Sequence, residues 1–258
     1  MTDLIVEVAS NHGGERAWME KFVESAALVG ADFVKFQSFQ TKHLRHDDPQ
    51  HDWFRKAELT DADHVWLVRE CSKVGVSFLS TAFSVDRVDF LHDLGLHAIK
   101  VGSGEGGLLS MLEAVARHDW HIYLSTGQWT QADLDEACDI LKNNDVTVMH
   151  TVSEYPTLSE RANLSRIRWL SEKTGFPVGY SDHTIGKTAA LAALGMGVSA
   201  LEVHHSLPGA PRRNAWDKDL IDLRVIAEFN RTVARMRQPQ PMVKAPGEER
   251  KYVGRWQA

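Results

Sequence analysis

Eight short β-rich runs recur along the chain, with stretches of helical apolar spacing between them, and this alternation constrains the fold more than any other feature. The runs are residues 4–10, 33–39, 76–83, 98–104, 121–127, 146–153, 177–183 and 200–207, rich in Val, Ile, Phe or Leu, with small polar residues or Gly near their carboxyl ends. Segments 18–29, 85–94, 108–116, 132–141 and 187–194 carry apolar residues spaced near 3.6. Strands followed by helices in this way are buried on both faces, which calls for a parallel sheet. A chain of 258 residues has the length of a closed (β/α)8 TIM barrel, about 250 residues, whereas a doubly wound open sheet usually carries fewer strands. Residues 1–237 are therefore expected to form one TIM-barrel domain. Residues 238–258 are proline-bearing, charged and without apolar periodicity, and read as a linker-like tail.

Composition removes several alternatives. With 43% hydrophobic residues the chain can bury a real core, so disorder is excluded. A formal charge of −6 argues against a nucleic-acid binder or a basic membrane-surface protein. No apolar run approaches the roughly 18 residues that span a bilayer, and the start lacks the features of a signal peptide. Cys71 and Cys138, far apart in helical patterns, read as free thiols of a reducing compartment. A cytoplasmic location is the resulting expectation. Residues 40–60 read as a long polar loop holding His43, His46, Asp47, Asp48, His51 and Asp52. Such a loop serves as a lid or binding segment or is disordered, and the irregular spacing of its acids and imidazoles favours a solvated loop over a metal site.

In a barrel, function gathers at the carboxyl ends of the strands. Those ends carry Glu7, Lys35, Gln37, Thr81, Lys100, Ser103, Glu105, Ser125, Ser153, Tyr155, Ser181, His183, Glu202 and His204. Lys35 and Lys100 lie inside otherwise apolar strands, where a buried ammonium needs a partner or loses its proton. Internal salt bridges to Glu7, Glu105 or Glu202 are one explanation. An anion site is the other: two lysines with hydroxyls from Thr81, Ser103, Ser125 and Ser181, beside glycines that allow close approach of a phosphate. His183 and His204 end adjacent strands and can face one point, a plausible divalent site suited to Mn²⁺, Fe²⁺ or Zn²⁺ over Mg²⁺. Alternation along the strand puts His205 on the opposite face.

The ordered segments E-V-A-S-N-H-G-G (7–14), A-D-F-V-K-F-Q (31–37), F-L-S-T-A-F (78–83), I-K-V-G-S-G-E (99–105), L-S-T-G (124–127), S-E-Y-P-T (153–157), G-Y-S-D-H-T (179–184) and L-E-V-H (201–204) resemble the sialic acid synthase (N-acetylneuraminate synthase) family. The resemblance implies a TIM barrel that condenses phosphoenolpyruvate with an N-acylated amino-sugar aldehyde, using a divalent metal, Mn²⁺ first among candidates. It implies His183 and His204 as metal ligands, and Lys35, Thr81, Lys100, Ser103, Ser125 and Ser181 as phosphoenolpyruvate-binding. Ser153 stands where some members have an asparagine in that set. Glu7, Gln37, Glu105 and Tyr155 match positions at the reaction centre or sugar, and Asp217 replaces the aspartate of a Gly-Pro-Asp-His segment. Glu7, Glu105, Lys100 and His183 are the catalytic candidates, with the water-handling role open between Glu7 and Glu105.

Family members continue into an antifreeze-like domain that reaches over the partner's site, and this chain stops about where that domain would start. Barrel-only enzyme and piece of a longer protein are both open, as are monomer and homodimer. Residues 208–213 and Trp216, on the sugar side, and the run Glu202-Val203-His204-His205 also depart from the family pattern. Two other readings stand beside the synthase: a metal-dependent barrel aldolase or lyase acting on a phosphorylated acid, and a non-catalytic anion-binding barrel.

Overall fold

The computed structural model describes residues 1–104 and 107–238. Eight parallel strands close into one barrel in sequence order, β1 pairing with β8. They are β1 (Asp3–Glu7), β2 (Phe33–Ser38), β3 (Ser77–Ala82), β4 (Ala98–Val101), β5 (His121–Ser125), β6 (Asp145–Thr151), β7 (Val178–Asp182) and β8 (Ala200–His204). All eight expected strands are present, and each ends one to three residues earlier than the apolar run suggests. The reason is visible at β1, where Ala9 takes a left-handed φ of 51° and turns the chain out of the sheet.

Helices α1 (Arg16–Val29), α2 (His51–Ala57), α3 (Asp61–Val74), α4 (Val85–Asp93), α5 (Leu109–Ala116), α6 (Gln131–Leu141), α7 (Ser165–Thr174), α8 (Thr188–Met196) and α9 (Leu220–Met236) account for the crossovers. Local chemistry sets their limits. In α1, Met19, Phe22, Val23, Ala26 and Val29 form one buried stripe, and Gly30 at φ 75° stops the helix by donating its N–H to the last turn. Thr60 with Asp63 and Thr130 with Asp133 form capping boxes that start α3 and α6.

The main core lies between the sheet and the helices, with residues such as Phe22, Leu67, Leu91, Ile122, Leu141, Leu170 and Val203. A fully buried Phe22 contributes about 2–3 kcal/mol. Inside the barrel, a smaller cluster of Ile5, Leu79, Ala98, Tyr123, Met149 and Ala200 plugs the amino-terminal half. One step further along each strand the inward residue becomes polar.

Residues 40–60 are not a continuous loop. A 3-10 turn spans Thr41–His43 and α2 follows. Trp53 and Phe54 supply the reason: Trp53 Nε1 donates to Ser10 Oγ at 2.9 Å, and the Phe54 ring meets Phe39 edge-on. Two aromatic anchors in a seven-residue polar stretch pull it onto the barrel mouth. Its charges pair locally and are exposed, Arg45 with Asp47 and Arg55 with Asp52. The expected tail lies, from residue 239 on, outside the described residues.

Candidate active site

Strand register places the polar layer. Glu7 stands beside Lys35 on one side and His204 on the other. Gln37 pairs with Thr81, Thr81 with Lys100, Thr151 with Ser181, and Ser181 with Glu202. Side chains two residues beyond the apolar plug share its inward face. The floor of the barrel mouth is thus built from Glu7, Lys35, Thr81, Lys100, Ser125, Ser181 and Glu202, all buried.

Internal salt bridges account for both lysines, and they face an open cavity. Lys35 Nζ lies 2.9 Å from Glu7 Oε2 and 3.3 Å from Glu202 Oε1, and donates to Thr81 Oγ1 at 2.8 Å. Lys100 Nζ donates to Ser125 Oγ at 2.7 Å and stands 3.7 Å from Glu202 Oε2. These salt bridges line a cavity of about 530 Å³ that opens to solvent, so the pairs form a charged floor and not a sealed core. Burial works against an ionised Glu202, but Lys35 and Lys100 overcome it and hold the carboxyl at about 2. Burial pushes Glu7 up despite Lys35. Of the two carboxyls, Glu202 is the fixed anion and Glu7 the group closer to exchanging a proton.

Above the floor, Ser103 and Ser153 converge on Gly127. A Cβ at Gly127 would lie 2.4 Å from Ser153 Oγ and 2.9 Å from Ser103 Oγ, so only glycine admits both hydroxyls. The Gly127 N–H donates to Ser103 Oγ, and Trp129 Nε1 donates to the Ser103 carbonyl. Gln37 Nε2 donates to Glu7 Oε1 at 2.9 Å, which orients that carboxyl toward the cavity.

His183 and His204 both line the cavity, their ring centroids 5.2 Å apart. Tyr155 lies against His183 at 4.0 Å, and Trp216 meets Tyr155 and His204 edge-on. Burial lowers both imidazoles, His204 well below the usual range with His183 adding to the effect. Neutral imidazoles in this position have lone pairs available. His183 Nδ1 is hydrogen-bonded to the Val152 carbonyl at 2.7 Å, whereas His204 Nδ1 is buried without a hydrogen-bond partner among the described residues. His205 faces away from the cavity, bonded to Ser25 and the Lys218 carbonyl.

Asp217 does not line the cavity. Its Oδ2 accepts from Asn11 Nδ2 and the Asn214 N–H, which makes it an organiser of the loop after β8. Glu105 lies outside the described residues. Sequence reasoning missed Lys218, whose Nζ reaches Asp182 Oδ2 at 3.1 Å with both side chains fully buried. That pair ties the tip of β7, next to His183, to the loop carrying Trp216. It also did not single out Phe39, Leu44, Phe54 and Phe83 at the cavity's edge, because an apolar residue at a strand end or in a loop gives no local signal of the cavity it will line.

With this geometry in view, comparison with known proteins is specific. The NeuB family model matches residues 22–238. N,N'-diacetyllegionaminic acid synthase of Campylobacter jejuni is 35% identical over 226 residues, covering 80% of this chain and 68% of that protein. Among solved structures, spore coat polysaccharide biosynthesis protein SpsE of Bacillus subtilis superposes with a TM-score of 0.81 at 29% identity, over 94% of this chain and 72% of that one. An N-acetylneuraminic acid synthetase from Leptospira borgpetersenii, solved with citrate, gives a TM-score of 0.89 at 24% identity, over 97% and 90% of the two chains, and so supports the fold. The chain belongs to the NeuB family, whose members with stated activities among these relatives are synthases. It spans 62–68% of the length of three curated relatives.

Proposed function

We propose that the barrel condenses phosphoenolpyruvate with an N-acylated amino-sugar aldehyde and water, giving a 2-keto-3-deoxy sugar acid and inorganic phosphate. The observation that carries this reading is the lining of the barrel mouth: two buried lysines, five hydroxyls and an imidazole pair around one open cavity. A doubly anionic substrate matches the ammonium groups of Lys35 and Lys100, which Glu7 and Glu202 hold in the floor of the cavity. Thr81, Ser103, Ser125, Ser153 and Ser181 supply donors for its phosphate and carboxylate oxygens.

The chemistry follows from those positions. The enol carbon of phosphoenolpyruvate attacks the aldehyde carbon, forming a C–C bond while the carbonyl oxygen takes up charge. Positive charge then rests on the neighbouring carbon that carries the phosphate, where water adds and loses a proton. The tetrahedral product breaks its C–O bond to phosphate and becomes the keto acid, its hydroxyl proton passing to the departing phosphate, while the proton taken from water returns to the oxyanion left by the aldehyde. Lys35 and Lys100 hold the two anionic ends while charge moves between them. Glu7, raised by burial and steadied by Gln37, accepts the proton from water. Tyr155 and Gln37 face the acceptor side of the cavity.

His183 and His204 suit a divalent ion, with Mn²⁺ the first candidate: both are neutral, adjacent and inside the cavity, and His204 Nδ1 is a buried atom without a hydrogen-bond partner among the described residues. Among the described residues no three His, Cys, Asp or Glu side chains are grouped to hold a metal ion. Such an ion supplies Lewis-acid stabilisation of the developing oxyanion.

The test is phosphate release from phosphoenolpyruvate with Mn²⁺ and a panel of N-acyl hexosamines, with product mass as a second readout. Release that requires the aldose and is lost in EDTA supports the proposal. Turnover with pyruvate in place of phosphoenolpyruvate sinks it in favour of an aldolase.

A further inference from the structure

The paired register of β7 and β8 runs through Tyr180–Leu201 and Ser181–Glu202 and stops at Asp182–Val203, one residue short of each imidazole. Beyond that point Lys218, on the loop between β8 and α9, joins the two strand tips. Its N–H donates to the His204 carbonyl at 2.8 Å, and its own carbonyl is hydrogen-bonded to His205 Nδ1 at 2.7 Å. Its ammonium crosses to the other tip. Nζ lies 3.1 Å from Asp182 Oδ2 and donates to the Thr184 carbonyl at 2.6 Å. Asp182 and Thr184 flank His183. The Lys218 side chain therefore holds both neighbours of one imidazole, while its backbone holds the residue that carries the other.

The β7 end of this clamp is itself fixed. Asp182 Oδ1 accepts from the Thr184 N–H at 2.9 Å and from the Tyr180 hydroxyl at 3.1 Å, which sets the plane of the carboxylate. The Lys218 and Asp182 side chains are fully buried, and neither lines the cavity. Alternation along β7 explains why: Ser181 and His183 face inward, so Asp182 between them faces out. Lys218 acts only through the residues it holds. An ion pair buried this completely gains little stability over an apolar pair of the same volume. What it adds is direction, because an ammonium between a carboxylate and a carbonyl keeps one position where apolar side chains would slide.

Resting on the reading above that His183 and His204 share a divalent ion, we propose that Lys218 is a positioning residue for the imidazole pair. By locking the tip of β7 to the His204 backbone it fixes the separation of the two rings, whose centroids lie 5.2 Å apart. Loss of such supporting contacts weakens metal affinity by about 10–100-fold. Lys35 and Lys100 stand on β2 and β4 and do not depend on the clamp.

The experiment measures two affinities of the full chain: Mn²⁺, from the electron paramagnetic resonance signal of the free ion, and phosphoenolpyruvate without metal, by calorimetry. The double variant Asp182→Asn/Lys218→Met removes both charges at nearly constant volume, so neither is left buried alone. Its Kd for Mn²⁺ is expected to rise about 10–100-fold, while its Kd for phosphoenolpyruvate stays within about twofold. Asp182→Asn alone keeps Oδ1 and the hydrogen bonds it accepts; this milder change is expected to raise the Mn²⁺ Kd about three- to tenfold. Unchanged Mn²⁺ affinity in both variants overturns the inference. So do equal losses of Mn²⁺ and phosphoenolpyruvate binding in both, since a pair that serves only folding would weaken the two sites alike. A wild-type Mn²⁺ affinity that survives His183→Ala and His204→Ala overturns the metal reading itself, and the role of Lys218 falls with it.

Discussion

At the scale of single residues, the site depends on side chains that are absent as much as on those present. Gly127 is the clearest case, since the hydroxyls of Ser103 and Ser153 and the methyl of Thr151 all crowd the place its Cβ would take. Gly127→Ala is expected to splay the two serines and lower kcat/KM for phosphoenolpyruvate by about 100-fold, the scale of an ångström-sized misplacement. Steady-state kinetics check this, with circular dichroism confirming that the barrel persists. The lysines were readable from sequence because a charge inside an apolar strand is anomalous by itself. That Lys35 bridges Glu7 and Glu202 was not, because the partners are 28 and 167 residues away and only register brings them together.

At the scale of elements, α2 is the part that tertiary contacts impose on a weak local pattern. Seven residues make a marginal helix in isolation, and its sequence is dominated by charged and polar groups. What holds it is the indole of Trp53 on Ser10 and the ring of Phe54 on Phe39. Trp53→Phe removes the hydrogen bond while keeping most of the ring, at a cost of about 1 kcal/mol. The expected outcome is faster proteolytic cleavage within residues 41–57 and a higher KM for the sugar, with little change in KM for phosphoenolpyruvate. Limited proteolysis and two-substrate kinetics measure both. The strands were legible as elements because runs of β-branched and aromatic residues between turn formers survive any tertiary context. Their ends were not, because the backbone leaves the sheet early to aim side chains at the mouth.

At the scale of the whole molecule, burial of imidazoles sets the response to acid. Burial holds His12, His64 and His205 at about 4 in the folded chain, against an ordinary value of 6.5. The unfolded chain takes up these protons below about 6.5 while the folded one does not. Stability is therefore full above that pH and declines as pH falls toward 4, by up to about 3 kcal/mol for each imidazole. Urea midpoints at pH 7.5 and 5.0 should show the loss. His64→Phe, which places a ring against Phe78 and Phe90 where His64 already packs edge-on, should make the slope shallower. Among the described residues no helix is long and apolar enough to cross a membrane. The sequence by itself determined eight strand-and-helix units, the parallel barrel they close into, and the set of lysines, hydroxyls and imidazoles at the strand tips. Periodicity and the cost of burying charge are local properties, written in each segment without reference to the others. Only the tertiary structure decided which carboxyl is held ionised, that Asp217 braces a loop and does not face the cavity, and that Phe39, Phe54 and Phe83 line the cavity's edge. Each of these depends on distances between residues far apart in the chain, and barrel closure alone sets those distances.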